Sequence, residues 1–198
     1  MIWFVLWLIF AVGVFTWLGW SVNITLSQRK AWSEFASKYK LDVVKPGSPI
    51  APVGVRGNLQ GRQITIYTDV ETTPERRTQE LYTMIEVFLN KLPPAMTVMS
   101  KYSLPEKMSD ITLPQTMQVE GLAVAQSEDA AKVTEWLTQK RRQAIRTFMD
   151  AAAPDEGAML ISDDDIAFLL WRTMDPMRDV RVLNAKVQSM FAIARELE

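Results

Sequence analysis

The first twenty residues constrain this chain more than any other segment. The run from Ile2 to Trp20 contains no charged side chain, and the first charged residue is Arg29. An apolar run of this length is what an α-helix needs to cross the hydrocarbon core of a bilayer, which is about 30 Å thick. The sequence therefore predicts a transmembrane anchor within residues 1–26, and the membrane lipid bilayer is its first predicted partner.

A cleaved signal peptide is the competing interpretation of this run. Signal peptides carry basic residues before a shorter apolar core, and small residues around the cleavage site. Here no basic side chain precedes the apolar run, and the bulky Trp20 and Val22 flank Ser21. We therefore expect a retained anchor.

One face of the predicted helix is rich in aromatic residues. Spacings of four, three, four and three separate Trp3, Trp7, Phe10, Val14 and Trp17. Side chains at these spacings point in one direction, and we call this set the aromatic seam. The seam either docks a neighbouring transmembrane helix or faces lipid, with its tryptophans at the headgroup layers where indole rings concentrate. The sequence alone favours the second interpretation and leaves the first open.

Basic residues lie on only one side of the anchor. Those nearest to it are Arg29, Lys30, Lys38 and Lys40, all on its C-terminal side. The positive-inside rule places such a flank in the cytoplasm. We therefore expect an inner (plasma) membrane protein with its N-terminus outside and the remainder of the chain in the cytoplasm.

The composition narrows the chemistry that is available. The chain has no cysteine and no histidine, which excludes disulfides, thiolate catalysis, iron–sulfur clusters and the typical zinc, copper and haem sites. Its 22 basic residues nearly balance 23 acidic ones, which argues against a general nucleic-acid-binding protein. We predict no cofactor, no metal site and no nucleic-acid partner.

Residues 27–45 are predicted to contain an amphipathic juxtamembrane helix. Its apolar stripe consists of Trp32, Phe35, Ala36 and Tyr39. This helix either continues the transmembrane helix or is separated from it by a break at residues 22–25. A break is plausible there because β-branched side chains and Asn23 have low helix propensity.

Residues 46–198 are predicted to form one α+β domain, with helices packed against an antiparallel sheet. The predicted strands are a hairpin that turns at 58–61, strands over 81–89, 97–100 and 117–123, and a second hairpin of 159–161 and 166–171. The predicted helices are 128–152, capped by Ser127, and a closing helix that Asp175 caps and Pro176 opens. The run from Phe168 to Trp171 is apolar at every position, which predicts a strand that is buried on both faces or forms an interface.

Two charged clusters are candidate sites, and each has a structural alternative. Carboxylates suit Ca²⁺ or Mg²⁺, but Asp163, Asp164 and Asp165 lack the EF-hand spacing, and a solvated turn explains them. A basic cluster suited to anionic headgroups consists of Lys140, Arg141, Arg142 and Arg146, and a solvent-facing helix explains it. No phosphate-binding glycine motif and no GxSxG motif is present, so we predict no catalytic residues.

The irregular segment from Leu92 to Met117 is a second candidate contact surface. Methionines among prolines form an adaptable apolar surface that suits a protein partner or the bilayer surface. The candidate partner-binding residues of this segment are Met96, Met99 and Met108. A long loop draped over the core is the alternative, and the sequence does not choose between the two.

Several short motifs together resemble a class of bacterial proteins. They are the hairpin GNLQGRQITIYTD, the segment TMIEVFLNKLPPAMTV, a helix with TQKRRQAIRTFM and a last helix ending in FAIARELE. From Trp32 to Leu197 the chain resembles uncharacterised bacterial membrane-anchored α+β domains in which a Gly-x-x-x-Gly-Arg hairpin precedes a Leu-Pro-Pro stop. That class has no assigned activity, so the resemblance implies a bacterial membrane protein and carries over no functional residues. It leaves Arg62 and the prolines as structural residues.

The sequence leads to one functional hypothesis and two alternatives. The hypothesis is a non-catalytic single-pass membrane protein that serves as an accessory subunit of, or docking module for, a larger bacterial membrane protein complex. The first alternative is a membrane-tethered regulatory or sensor domain that binds a small ligand or a lipid. The least favoured is a hydrolase that uses only carboxylates. A homo-oligomer is compatible with each of them.

Overall fold

The computed structural model describes residues 2–44, 53–73, 78–102, 104, 111, 113–153 and 156–198. In these residues the helices are α1 (Ile2–Tyr39), α2 (Ala130–Trp136), α3 (Gln139–Asp150) and α4 (Val180–Leu197). The strands are β1 (Asp42–Val44), β2 (Gly54–Leu59), β3 (Arg62–Thr73), β4 (Thr78–Phe88), β5 (Thr97–Ser100), β6 (Gln115–Thr116), β7 (Val124–Ser127), β8 (Gly157–Ser162) and β9 (Ala167–Thr173).

The strands form one antiparallel sheet in the order β1-β2-β3-β4-β9-β8-β5-β7-β6. A long apolar N-terminal helix, this sheet and three further helices confirm the predicted α+β fold. Both predicted hairpins are present, as β2–β3 and β8–β9. Strand β9 lies in the middle of the sheet between β4 and β8. Its residues Leu169, Leu170 and Trp171 are buried because side chains on both faces of a central strand are covered.

The helices cover one face of the sheet. Its buried side chains include Ile64, Ile66, Ile85, Val87, Leu160, Leu169 and Trp171. Against them pack Trp32 and Phe35 of α1, Ile145 and Phe148 of α3, and Leu183, Val187 and Phe191 of α4. Each large apolar side chain fully buried in this way contributes about 1.5–3 kcal/mol to stability, relative to leaving it exposed. This layer is the main core of the protein.

Helix α1 runs without a break from the apolar run into this core. Residues 22–25, where a break was one alternative, are helical. The Thr25 hydroxyl donates to the Ser21 carbonyl oxygen at 3.3 Å, so this threonine bonds within its own helix instead of interrupting it. The predicted apolar stripe faces the core, since Trp32, Phe35 and Ala36 are fully buried and Tyr39 is half-buried against the core. The anchor and the juxtamembrane segment are thus one helix.

A Schellman motif ends α1. Lys40 has a left-handed backbone, with φ of 55°, and its N–H donates to the Ser37 carbonyl oxygen. The Leu41 N–H donates to the Ala36 carbonyl oxygen at 2.9 Å, which completes the motif. Leu41 then packs so closely against Gly57 that a Cβ on that glycine would lie 2.9 Å from Leu41 Cδ2. The close packing fixes the end of α1 against β2.

The single helix predicted over 128–152 is wrong in two respects. The structure has two helices, α2 and α3, and Thr138 accepts the Arg141 N–H as the N-cap of α3. The freed carbonyl oxygens at the end of α2 are satisfied by arginine side chains, since Arg141 Nη1 donates to the Trp136 oxygen at 2.9 Å. The predicted cap Ser127 ends β7 and donates to the Met96 carbonyl oxygen, while Asp129 caps α2.

Two other predicted boundaries differ from the structure. The strand predicted over 117–123 is instead a connection between β6 and β7, which turns at Gly121 with φ of 83°. The last helix begins at Val180, with Asp179 as its N-cap, and not at Pro176. Residues 176–179 stay outside the helix because Met177 has a positive φ of 51°, which no helix accommodates.

Candidate functional site: the junction of the membrane helix and the sheet

The apolar part of α1 is uncovered by the rest of the protein. It is the one helix among the described residues that is long and apolar enough to cross a membrane, and no residue of its most apolar stretch is buried. The aromatic seam is exposed along its whole length, from 37% at Val14 to 83% at Trp3. A continuous exposed apolar surface of this kind is typical of a segment that contacts lipid or another protein.

The seam continues directly into the face of α1 that packs against the domain. Beyond Trp17, spacings of four, three and four lead to Ser21, Ile24 and Gln28. At about 100° of rotation per residue, these positions stay on one side of the helix. The next positions on this side include Trp32 and Phe35, which are fully buried in the core. Because α1 is continuous, the seam and the folded domain lie on the same side of the helix.

A cavity of about 470 Å³ lies just beyond the C-terminal end of the seam, where this face of α1 meets the sheet. We call it the junction cavity. Helix α1 forms one wall, and strands β3 and β4 with the segment after β9 form the other. Its described lining residues are Ser21, Ile24, Thr25, Gln28, Thr68, Leu81, Tyr82, Thr83, Met174 and Pro176.

Two hydrogen bonds fix the walls of the junction cavity. The buried Gln28 donates from Nε2 to the Thr68 hydroxyl at 3.4 Å, which ties α1 to β3. The Thr83 hydroxyl donates to the Asp175 carbonyl oxygen at 2.8 Å, which holds the segment after β9 against β4. Both hydroxyls belong to one face of the sheet, since Thr68 and Thr83 are direct cross-strand partners. The cavity is therefore built into the fold rather than left between loose segments.

The described lining is uncharged and mixes polar with apolar groups. None of the described residues that line the cavity carries a charge, and the set combines hydroxyl and amide groups with aliphatic side chains. The volume lies within the range of about 300–1,000 Å³ that is typical of small-molecule sites. Such a lining suits an uncharged molecule with an apolar part and a few hydrogen-bonding oxygens. Among its described residues it has no charged side chain to pair with a charged substrate and no carboxylate to hold a metal ion.

Apolar side chains continue from the cavity onto the neighbouring surface. Leu81 and Met174 line the cavity and are also exposed, at 57% and 49%. Val70, the cross-strand partner of Leu81, is exposed as well. Exposed aliphatic residues clustered beside an apolar cavity are typical of a surface that contacts lipid or protein.

The candidate methionines do not form one exposed surface. Met99 is fully buried in β5 and belongs to the core, while Met96 is half-buried. Met108 lies outside the described residues. Leu104, from the same segment, packs on the second face of the sheet with a small cluster formed by Met84, Met159, Ile161 and Leu170. A role of this segment in partner binding stays a prediction.

The basic cluster of α3 is engaged within the protein. Arg141 stacks on Trp136, with its guanidinium carbon 4.7 Å from the ring centroid, and donates to the Leu197 carbonyl oxygen at 2.7 Å. Arg142 Nε donates to the Leu137 oxygen at 2.8 Å. Ion pairs join Lys140 to Glu196, and Arg146 to Glu120 and Asp150. These contacts favour a structural role over headgroup binding.

Arg142 and Arg146 also line a polar groove of about 220 Å³. Its other described lining residues are Gln118, Val119, Glu120, Thr134, Leu137, Gln139 and Gln143. Glu120 pairs with Arg146 across this groove, so its charge is partly neutralised from within. The groove has neither the size nor the apolar lining of the junction cavity.

The second face of the sheet carries a polar cluster on β3, β4 and β9. The Tyr67 hydroxyl donates to Glu86 at 2.8 Å, and Arg172 pairs with Glu71 while stacking on the Tyr82 ring. Burial raises the pKa of Glu86 above its ordinary value, and burial together with the Glu86 charge raises the pKa of Tyr67. These groups bond to one another, and the Tyr82 hydroxyl also donates to Glu80, which indicates a structural network.

The three adjacent aspartates lie in the exposed turn between β8 and β9. The Asp163 N–H donates to the Ile166 carbonyl oxygen at 2.7 Å, and the Asp164 N–H donates to the Asp163 carboxylate. Among the residues that the structure describes, no group of three or more acidic side chains is arranged to hold a metal ion. These contacts are those of a solvated turn, the alternative that the sequence offered.

The sequence predicted the aromatic seam but not the junction cavity. One signal was present, because Gln28 is a polar residue on the apolar side of α1. Comparisons with protein-family models, with curated proteins and with solved structures give no match for this chain. Inferences about its function therefore rest on its own residues.

Proposed function

We propose that the chain is a non-catalytic single-pass membrane protein that acts as an accessory subunit of, or docking module for, a larger bacterial membrane protein complex. In this proposal the aromatic seam binds a transmembrane helix of a partner subunit. The N-terminus lies outside the inner membrane and the α+β domain lies in the cytoplasm, as the basic residues after the anchor favour.

The observation that carries the proposal is the continuity of α1. Its exposed aromatic seam and the buried Trp32 and Phe35 belong to one unbroken helix. A partner helix packed on the seam would therefore hold the domain at a fixed position below it. An anchor that only tethered the domain would need no such rigid connection.

The experiment replaces aromatic residues on two faces of α1. In the W7L/F10L variant two seam residues are shortened, and in the F4L/F15L variant two equally exposed residues off the seam are changed. The off-seam pair lies about 100–120° around the helix from the centre of the seam. Each variant is expressed at native level in the source organism, extracted in mild detergent and analysed by size-exclusion chromatography and mass spectrometry.

We expect a stoichiometric membrane protein to co-purify with the original chain and with F4L/F15L, and to be lost with W7L/F10L. All three chains should insert into the membrane equally, because leucine is as apolar as the residues that it replaces. Equal retention of the partner in both variants would contradict docking through the seam. Recovery of the chain without any partner would contradict the subunit hypothesis itself.

A second candidate function is a membrane-tethered regulatory domain that binds a lipid or a small uncharged ligand. The junction cavity favours it, because the cavity has the volume of a ligand site and walls fixed by hydrogen bonds. Docking through the seam and binding in the cavity use different segments of α1, so the two functions are compatible.

A further inference from the structure

The depth of the junction cavity relative to the membrane follows from the geometry of α1. Trp17 and Trp20 are placed at the interfacial layer by the preference of indole rings for that depth. Ser21 and Thr25 line the cavity and lie about 1.5 and 7.5 Å further along the helix axis than Trp20, at 1.5 Å per residue. The headgroup layer adds about 5–7 Å to each side of the hydrocarbon core. The mouth of the cavity therefore lies in the headgroup layer.

The cavity adjoins the exposed apolar side of α1. Val14 and Trp17 of the seam are exposed directly above Ser21 and Ile24, on the same side of the helix. A chain molecule that occupies the cavity can thus extend along α1 into the hydrocarbon core past Ile24, Trp17 and Val14, with the Ser21 hydroxyl at the mouth of the cavity. The exposed Leu81 and Met174 extend the apolar surface on the opposite wall.

The polar groups of the lining match an ester region better than a charged headgroup. Ester carbonyl oxygens accept hydrogen bonds, and the hydroxyl groups of Ser21 and Thr68 and the second N–H of the Gln28 amide are uncharged groups that can donate to them. The hydroxyl groups of Thr25 and Thr83 already donate to the carbonyl oxygens of Ser21 and Asp175. A phosphate would favour arginine or lysine at close range, and the described lining contains neither.

We propose that the junction cavity binds one glycerolipid of the bilayer. The uncharged ester region lies among the hydroxyl groups, one acyl chain extends along Ile24, Trp17 and Val14, and the headgroup points to solvent. Binding in this manner selects for the glycerol-ester region and acyl chain of a lipid, and not for the charge of its headgroup. The inference depends on membrane insertion of α1 and does not require a docked partner. The acyl chain covers Val14 and Trp17, so a partner helix would contact the seam at Trp3, Trp7 and Phe10.

The first test measures retained lipid and the position of its ester region. The full chain is reconstituted in nanodiscs of equal parts phosphatidylcholine and phosphatidylglycerol, with a small fraction of phosphatidylcholine that carries a diazirine on one acyl chain at a carbon next to the ester. After illumination, labelled peptides are mapped by mass spectrometry. Retained lipid is counted by native mass spectrometry after transfer to detergent.

Bulk lipid labels any transmembrane helix, so the informative positions are those of the domain. We expect label at Leu81–Thr83 and at Met174, and one tightly retained lipid per chain with little preference between the two headgroups. Label confined to the membrane part of α1 would overturn the proposal. Retention of phosphatidylglycerol alone would also overturn it, because that result requires recognition of charge.

The matched variants are Ser21→Phe and Asn23→Phe. Ser21 lines the mouth of the cavity, whereas Asn23 is exposed on the far side of the same helical turn. Filling the mouth should reduce both lipid retention and domain labelling by about tenfold, while N23F should leave them unchanged. If S21F retains lipid as the original chain does, the cavity is not the site.

A folding control keeps this test decisive. The thermal unfolding of S21F and N23F is measured by circular dichroism in the same nanodiscs. Thr25→Phe, which fills the cavity from the next turn of α1, serves as a second blocking variant if S21F unfolds. Because only purified chain and lipid are present, failure of this proposal is distinguishable from failure of the docking proposal.

Discussion

At the residue scale, the tryptophans of α1 show how one residue type takes two roles in one helix. Trp3 is 83% exposed, whereas Trp32 is fully buried between α1 and the sheet. The surroundings of each ring decide its contribution. An exposed indole stabilises the position of the helix in the bilayer, and a buried one stabilises the fold of the domain.

Replacing Trp32 should therefore destabilise the domain strongly. Trp32→Ala removes a fully buried ring and leaves a cavity in the core, at a cost of about 3–5 kcal/mol in the free energy of unfolding. Trp3→Ala should change it by no more than about 0.5 kcal/mol, because Trp3 contacts none of the core. Urea unfolding of both variants in the same detergent, followed by circular dichroism, measures the difference. Equal losses would show that Trp32 is not a core residue.

Glu86 gives a pH-dependent prediction at the same scale. Burial raises its pKa above the ordinary value of 4.5, so the folded chain keeps the proton over a range in which the unfolded chain has released it. The folded state then binds more protons than the unfolded one, and the contribution of Glu86 to stability falls as pH rises through this range. Glu86→Gln removes that loss and retains an oxygen that accepts the Tyr67 hydroxyl.

The melting temperature of E86Q relative to the original chain should therefore increase as pH rises from about 4 to 7. Thermal unfolding across this range, monitored by circular dichroism, measures the trend. Glu135→Gln, at an exposed position of α2, is the matched control for the loss of one carboxylate. A difference between E86Q and the original chain that does not depend on pH would contradict the role of burial.

At the element scale, α1 joins a segment that is long and apolar enough to cross a membrane to the folded domain. A single helix over Ile2–Tyr39 transmits position only if it is stiff at the point where it leaves the bilayer. The backbone hydrogen bonds around Leu26 provide that stiffness. Leu26 is exposed and lies on the far side of α1 from the junction cavity, so a substitution there tests the helix alone.

Leu26→Pro should uncouple the two parts of the molecule. Proline removes one backbone hydrogen bond and clashes with the preceding turn, which kinks a helix at a cost of about 3 kcal/mol or more. Because the chain has no cysteine, spin labels can be attached at cysteines introduced at the exposed positions Val12 and Val182. Double electron–electron resonance should give one narrow distance distribution in Leu26→Ala and a broad one in Leu26→Pro. A broad distribution in L26A would contradict a rigid connection.

At the scale of the whole molecule, α1 and the sheet determine where the domain sits. The buried face of α1 and the aromatic seam lie on the same side of this helix. The domain therefore lies on the side of α1 to which the seam points. The exposed Leu81 and Met174 beside the junction cavity belong to the surface nearest the membrane-spanning part of α1. Which side of the membrane holds the domain depends on the charges that flank the anchor.

Cysteine accessibility tests this orientation. Asp164→Cys introduces one thiol at the exposed β8–β9 turn of a chain without cysteine. A cytoplasmic domain should react with a membrane-impermeant maleimide only after the cells are permeabilised. A cysteine inserted directly before Ile2 is the matched control and should react in intact cells. The opposite labelling pattern would reverse the predicted orientation.

Much of the fold could be predicted because its signals are local. The β2–β3 hairpin follows from a turn at Gln60 and Gly61 with alternating apolar residues after it, and the turn residues adopt the positive φ that such turns need. The buried stripe of α1 was predicted from its spacing. Boundaries that depend on distant partners were missed. The start of α4 moved to Val180 because Met177 has a positive φ, in a segment whose Asp175 carbonyl oxygen is held by Thr83, far away in sequence.

One part of the candidate site could likewise be predicted from local sequence, and another part could not. The sequence by itself determined the apolar run and the aromatic seam, because transfer of a helix into lipid depends on the composition of consecutive residues. Only the tertiary structure decided that the seam points toward the domain and ends at a cavity. The walls of that cavity come from Ser21, Thr68 and Met174, which are separated by long stretches of chain. Packing of α1 on the sheet brings them together, and no local pattern encodes that contact.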